Sequence, residues 1–274
     1  MIPLDWKERL KLDTEDFVAR KLPQGDYYID IVYNAYPKRV DNKIPAEVIQ
    51  FVAKVLASKI AKKADNYLPF YDYLWNDKGE NGRQVFIHIM RPIVKKNPEL
   101  FLGYLQKKLA SCNESTDINS ILRRAVAPLL TADGRKYIDI LYGWLSIDNQ
   151  ILHKSLIDLL IKAAKDDSSL TKYIFQKMER SWIYPTQHTI KDSSTFLKAI
   201  SKSDTDFYIS VYDNYKNSRN PVFIEILSGS LVSIAEEGAR ERILEYFVNW
   251  SKSGNVRIKK AGQSGQRILK KRTI

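Results

Sequence analysis

Residues 220–254 read NPVFIEILSGSLVSIAEEGARERILEYFVNWSKSG. Asn220 is a helix-capping residue type, and Pro221 suits a first helical turn. Val222, Phe223, Ile226, Leu227, Leu231 and Ile234 then recur at helical spacing and mark one apolar face. Gly238 fits a left-handed C-terminal stop. A second helix carrying Ile243, Leu244, Phe247, Val248 and Trp250 runs on towards Gly254. A pair of helices this short cannot bury its own apolar faces. It predicts an all-α fold in which similar pairs stack on either side.

The chain supplies such pairs. First helices begin near Gly82, Asp117, Asn149, Ser193, Asn220 and Asn255; second helices begin near Pro98, Gly134, Ser169, Asp204 and Ala239. Three of the second helices close on an aromatic, Trp182, Tyr215 or Trp250. The period is about 35 residues, within the range of helical-hairpin repeats. Upstream, Pro45 opens a long helix, Pro69 breaks or kinks it, and Asn76 to Gly82 reads as a polar loop. Residues 1–44 do not fit the pairing. Leu4, Trp6, Leu10, Phe17, Val18 and Leu22 suggest short helices broken by Pro23, Gln24 and Gly25. Tyr27, Tyr28, Ile31, Val32 and Tyr36 suggest another, stopped by Pro37. The expected organisation is one domain over residues 1–274, with 1–44 capping hairpins in 45–274. The expected architecture is a curved α-solenoid.

Asn255-Val256-Arg257, followed by Ala261 and Leu269, resembles the first helix of a HEAT repeat, a unit of the armadillo-type fold. Asn119 to Leu130, with Arg123, Arg124, Ala125 and Leu129, is similar to it. The resemblance covers roughly residues 80–274 and concerns architecture. The pair from Ser193 departs from the pattern, having a short first helix poor in large residues. A narrower resemblance is to the bacterial DNA alkylation-repair glycosylases, basic single domains of HEAT-like repeats. Leu74 to Met90 (LWNDKGENGRQVFIHIM) and Ile118 to Leu130 (INSILRRAVAPLL) carry it, although no tryptophan precedes the arginines of the second. That resemblance implies aromatic residues and a carboxylate around a damaged nucleotide, for which Trp75, Asp77 and Glu80 are the candidates.

The net charge of +12 over 274 residues, with a pI near 9.5, favours anionic partners. Between Asn255 and the C-terminus there is no acidic residue. There Arg257, Lys259, Lys260, Arg267, Lys270 and Lys271 fall opposite Ile258, Ala261, Gly265, Ile268 and Leu269 on a helix. They and Arg123 and Arg124 are the expected nucleic-acid contacts. A polar outer cap on a solenoid would account for the same face. The small residues of Gly262-Gln263-Ser264-Gly265 suit close approach of two helices.

Other chemistry has little support. There is no phosphate-binding GxxxxGK loop, no dinucleotide fingerprint and no zinc-ligand spacing among His88, His153 and His188. His88, between Ile87 and Ile89, reads as structural. No cofactor or metal is expected. Cys112 is the sole cysteine, so no intrachain disulfide can form. No apolar run spans a membrane, and the first residues lack a signal-like apolar core. A cytoplasmic protein without membrane insertion is expected.

Three functional expectations follow. One is a non-enzymatic recognition module that takes an anionic macromolecule, DNA or RNA rather than acidic protein, in a basic concave groove. The second is a base glycosylase of the alkylation-repair type. The third is a protein–protein scaffold.

Overall fold

A computed structural model describes residues 5–21, 29–30, 32, 36 and 44–270. Leu4, Leu22, Tyr27, Tyr28, Ile31 and the breaks at Pro23, Gln24, Gly25 and Pro37 lie outside the described residues, as does Lys271. The fold is all-α, with no strand among the described residues. None of their helices is long and apolar enough to cross a membrane. The chain forms two compact units, Met1–Ala132 with Ser146–Ser155, and Asp133–Leu145 with Leu156–Ile274.

In the first unit, α1 (Trp6–Val18) is capped by the Asp5 carboxylate, which accepts from the Lys7 N–H, and packs on α2 (Ala46–Ile60). A 3₁₀ stretch, Ala61–Tyr67, leads to α3 (Leu68–Asn76), with Pro69 in its first turn. α4 (Gly79–Lys96) starts three residues earlier than the sequence suggested, so Glu80 lies in a helical turn and the loop is shorter than expected. Two glycines permit this. Gly79 takes φ +58°, and a Cβ on Gly82 would lie 2.4 Å from the Leu74 carbonyl oxygen, so α4 crosses α3 at backbone distance. α4 is the hub of the unit, packing on α2, α3 and α5 (Pro98–Ala110) around buried Tyr71, Phe86 and Phe101.

The next helix is irregular. α6 (Ser115–Ile121) passes into a π turn, Leu122–Val126, and then α7 (Ala127–Leu130). Pro128 has no N–H to give the Arg124 carbonyl four residues back. The Ala127 N–H reaches back five residues to the Leu122 carbonyl, which is the π hydrogen bond. Arg123 and Arg124 stand on this widened turn.

α8 (Gly134–Trp144) belongs to the second unit, and α9 (Gln150–Asp166) begins in the first. The cap of α9 is Asn149. Its carbonyl oxygen accepts from the Ile151 and Leu152 N–H groups, while its amide donates to the carbonyls of Leu109, Ala110 and Cys112. One side chain thus satisfies the start of one helix and the end of another.

The second unit continues with α10 (Ser168–Arg180), α11 (Thr189–Ile200), α12 (Thr205–Tyr215), α13 (Pro221–Ser230), α14 (Glu237–Ser251) and α15 (Val256–Lys270). The segment from Ser193 is part of a full helix that begins earlier, at Thr189. Its small residues are its contact surface: Ser194 donates to the Ile226 carbonyl, and Ser228 in turn to that of Ala261. α11, α13 and α15 therefore pack in sequence. As expected, Asn220 caps α13 through the Val222 N–H. The stop at Gly238 is not observed. α13 ends at Ser230, residues 231–236 are non-helical, and Gly238 lies in the first turn of α14. The reason is a buried tyrosine pair on α12. Tyr212 donates to the Leu227 carbonyl and Tyr208 to that of Ser230, while the Val232 N–H donates to the Tyr208 oxygen. Carbonyls satisfied by side chains no longer need another helical turn. At the last pair the close approach is borne out. A Cβ on Gly262 would lie 2.5 Å from the Ser251 nitrogen, and one on Gly265 would strike the Phe247 ring.

A polar tie recurs between second helices. Asp72 on α3 accepts from Tyr104 and Lys108 on α5, at 2.7 and 2.5 Å. Asp139 on α8 accepts from Tyr173 and Lys177 on α10, at 2.6 and 2.7 Å. Asp213 on α12 accepts from Tyr246 and Arg242 on α14, at 2.8 and 3.1 Å. In each tie the tyrosine and the cation are one helical turn apart and share a face. Burial alone would raise the Asp72 and Asp139 pKa values, but the hydrogen bonds outweigh it and hold both below the ordinary range.

Candidate anion-binding cleft

α2 and α4 are side by side in the first unit, and the residues between them are of unequal size. On α2, Gln50, Lys54, Ala57, Ser58 and the following Ala61 share one face by helical spacing. On α4, His88, Arg91, Pro92 and Lys96 do the same. The small residues Ala57, Ser58 and Ala61 leave space where longer side chains would have filled it. The result is an open cleft of about 360 Å³ with small-residue walls and a cationic rim.

No carboxylate lines this cleft. Among the described residues, Lys54, Arg91 and Lys96 take part in no ion pair. Neither does Arg124, and its Nε is buried without a hydrogen-bond partner. Elsewhere among the described residues of the same unit some cations are paired, Lys59 with Glu15, Lys78 with Asp30, Arg83 with Asp117 and Lys108 with Asp72, and others, such as Lys62, Lys63, Lys95 and Lys107, are not. His88 is half-buried in the wall. Burial lowers its pKa first, and the charges of Arg124 and Arg91 lower it further. The π turn therefore brings Arg124 within electrostatic reach of α4. Such a set can hold an anion, and no carboxylate lines the space to repel it. Among the described residues no group of His, Cys, Asp and Glu is arranged to hold a metal ion.

Compared with protein-family models and with curated proteins, the chain matches none. The functional reading rests on the residues themselves.

The residues singled out in the sequence are distributed as follows. Arg124 belongs to the cleft's surroundings, and Arg123, next to it, is exposed. The C-terminal helix is less uniform than its own sequence suggests. Arg257 forks onto Glu225 of α13, through Nε at 2.8 Å and a terminal nitrogen at 2.6 Å. Lys260 stands beside that pair, with Lys198, at a second opening of about 430 Å³. Lys259, Arg267 and Lys270 are exposed, and Lys259 and Lys270 lie roughly 80–100° around the helix from Lys260. An acidic partner from another helix thus takes up one cation of what reads in sequence as one basic face, while Lys259, Lys260, Arg267 and Lys270 stay exposed on an arc of roughly 100°. Trp75 is buried with its ring edge-on to Phe86 at 5.1 Å, leaving no free face for a base; Asp77 and Glu80 are exposed.

Sequence reading passed over Lys54 and Arg91 as binding residues and gave His88 a structural role. One signal was available. His88 precedes Pro92, and Arg124 precedes Pro128, by the same four residues. Each proline leaves the carbonyl of a basic residue without its helical donor.

Proposed function

We propose that the chain is a non-enzymatic helical-repeat module, HEAT-like and solenoidal in its stacking of helix pairs, that binds nucleic acid through its phosphates at the α2–α4 cleft. The recurrence of the carboxylate–tyrosine–cation tie, with aspartate and tyrosine 32, 34 and 33 residues apart, supports the repeat reading. The observation that carries the binding reading is the set Lys54, Arg91, Lys96 and Arg124 gathered without a carboxylate. Like charges held together destabilise a folded chain unless a counter-charge joins them. A net charge of +12 over the whole chain favours a polyanion as that partner. A glycosylase would need an aromatic and a carboxylate converging in the groove. Trp75 is committed to packing, so the binding reading has the better support.

The test is fluorescence anisotropy with a labelled duplex across a salt series. Affinity should fall with salt at a slope of about −0.9 per phosphate neutralised. Replacing Lys54, Arg91, Lys96 and Arg124 together by Gln should weaken binding equally on all sequences and flatten the slope by up to about 3 to 4, since phosphate contacts do not read bases. Absence of binding at low salt, or an unchanged slope in the variant, overturns the reading in favour of an acidic protein partner.

A further inference from the structure

His88 is the one group of the cleft whose charge can change near neutral pH. The charges that act on it are Arg124 from the π turn and Arg91 from its own helix; Lys54 from α2 and Lys96 line the same cleft, and no carboxylate does. Among the described residues neither ring nitrogen has a hydrogen-bond partner, whereas the rings of His153 and His188 lie outside the cleft. A proton on this imidazole in the empty cleft would add a charge beside those of Arg124 and Arg91. An anion in the cleft reverses that balance, and both ring N–H groups become donors to it.

We infer that His88 is a proton-linked phosphate ligand: a nucleic-acid phosphodiester entering the cleft draws a proton onto the imidazole, and binding tightens as the pH falls. The inference rests on reading the cleft as a phosphate site. The sign follows from linkage. In the free protein the His88 pKa is already lowered, by burial and then by Arg124 and Arg91, so the ring is neutral at pH 7. Bound phosphate favours the charged form and raises that pKa. Affinity then increases as the pH falls through the bound-form pKa and levels off below the free-form pKa. A rise of about one unit on binding corresponds to about tenfold in affinity between the two plateaus. Phosphodiesters do not titrate in this range, so a duplex without terminal phosphates isolates the protein's proton.

The experiment measures affinity for such a duplex from about pH 5.5 to 8.5 at constant ionic strength, for the intact chain, His88→Gln, and the controls His153→Gln and His188→Gln. The intact chain and both controls should bind about tenfold more tightly at the acid end. His88→Gln should show no gain in affinity on acidification, whatever its affinity at the alkaline end. Calorimetry of the intact chain in buffers of different ionisation enthalpy should register proton uptake at neutral pH, a readout that needs no variant. Persistent binding with no pH dependence, no proton uptake, or a pH dependence that survives in His88→Gln, each overturns the role of His88 and leaves the phosphate reading standing. Absence of binding at every pH overturns both.

Discussion

In the first unit, Lys54, Arg91, Lys96 and Arg124 stand around a half-buried imidazole with no carboxylate among them. In the second, Arg257 gives two of its N–H groups to Glu225, and the remaining cations of α15 lie on its exposed face. The residue types are the same and their circumstances are not. On an exposed helix, water and salt screen each lysine, and a neighbouring carboxylate can absorb the charge. Lys54, Arg91 and Lys96 are exposed too, so what sets the cleft apart is that no carboxylate stands among them. A basic stretch of sequence therefore says less about a site than a few cations that tertiary packing has left without partners.

The largest effect that would sharpen this contrast concerns packing. Phe247 is fully buried against Trp250 and Tyr212, and Gly265 is seated on its ring. Phe247→Ala should cost about 3–5 kcal/mol in denaturant melts. A loss below about 1 kcal/mol would mean that α15 is not held by this contact.

Next comes the direct comparison of the two basic sets. Gln at Lys259, Lys260, Arg267 and Lys270 should flatten the salt slope of duplex binding less than Gln at the four cleft cations does. Equal flattening would make α15 an equal partner in binding and remove the distinction drawn here. The α15 variant should keep its melting midpoint, because exposed charges contribute little to folding.

A smaller effect is expected at Glu225. Glu225→Gln frees the guanidinium of Arg257 and should change stability by less than about 1 kcal/mol, as for other exposed ion pairs. Binding at low salt should strengthen slightly, because one repelling carboxylate has gone. Weaker binding would show that Glu225 aims Arg257 at the ligand.

Smallest is the acid response of the polar ties. Asp72 and Asp139 titrate below their unfolded values, so their contribution is present above the unfolded carboxylate pKa, about 3.9. It is lost as pH falls through the lower folded values. Asp72→Asn should shallow the acid limb of a stability–pH curve by well under 1 kcal/mol, given the exposure of the pair. An unchanged limb would show that the tie is geometric only.

The helices themselves were legible in the sequence because apolar spacing and caps agree. Asn220 and Pro221 start α13 where expected, and Gly262 and Gly265 bring α15 against α14. Where a helix ends was harder to read. Apolar Leu231 and Ile234 continue the pattern past Ser230, yet Tyr208 and Tyr212, about twenty residues upstream, take the carbonyls that would have extended the helix. The site was largely hidden for a related reason. Charge can be counted along a chain, but whether a cation is paired depends on the next helix. Arg257 meets Glu225; Arg91 meets no carboxylate. Arg124, already an expected nucleic-acid contact, was the part of the set marked in advance.

The tyrosine ties also bear on how the chain folds. Each joins positions 32 to 34 residues apart, so each closes a loop of nearly the same length and nearly the same entropy cost. None waits for the distant end of the polypeptide. Contacts of such short sequence separation are the kind that form quickly. As the chain emerges during synthesis, Asp72 can be tied once Tyr104 and Lys108 have appeared, and Asp139 once Tyr173 and Lys177 have, so each half can begin to close before the rest exists.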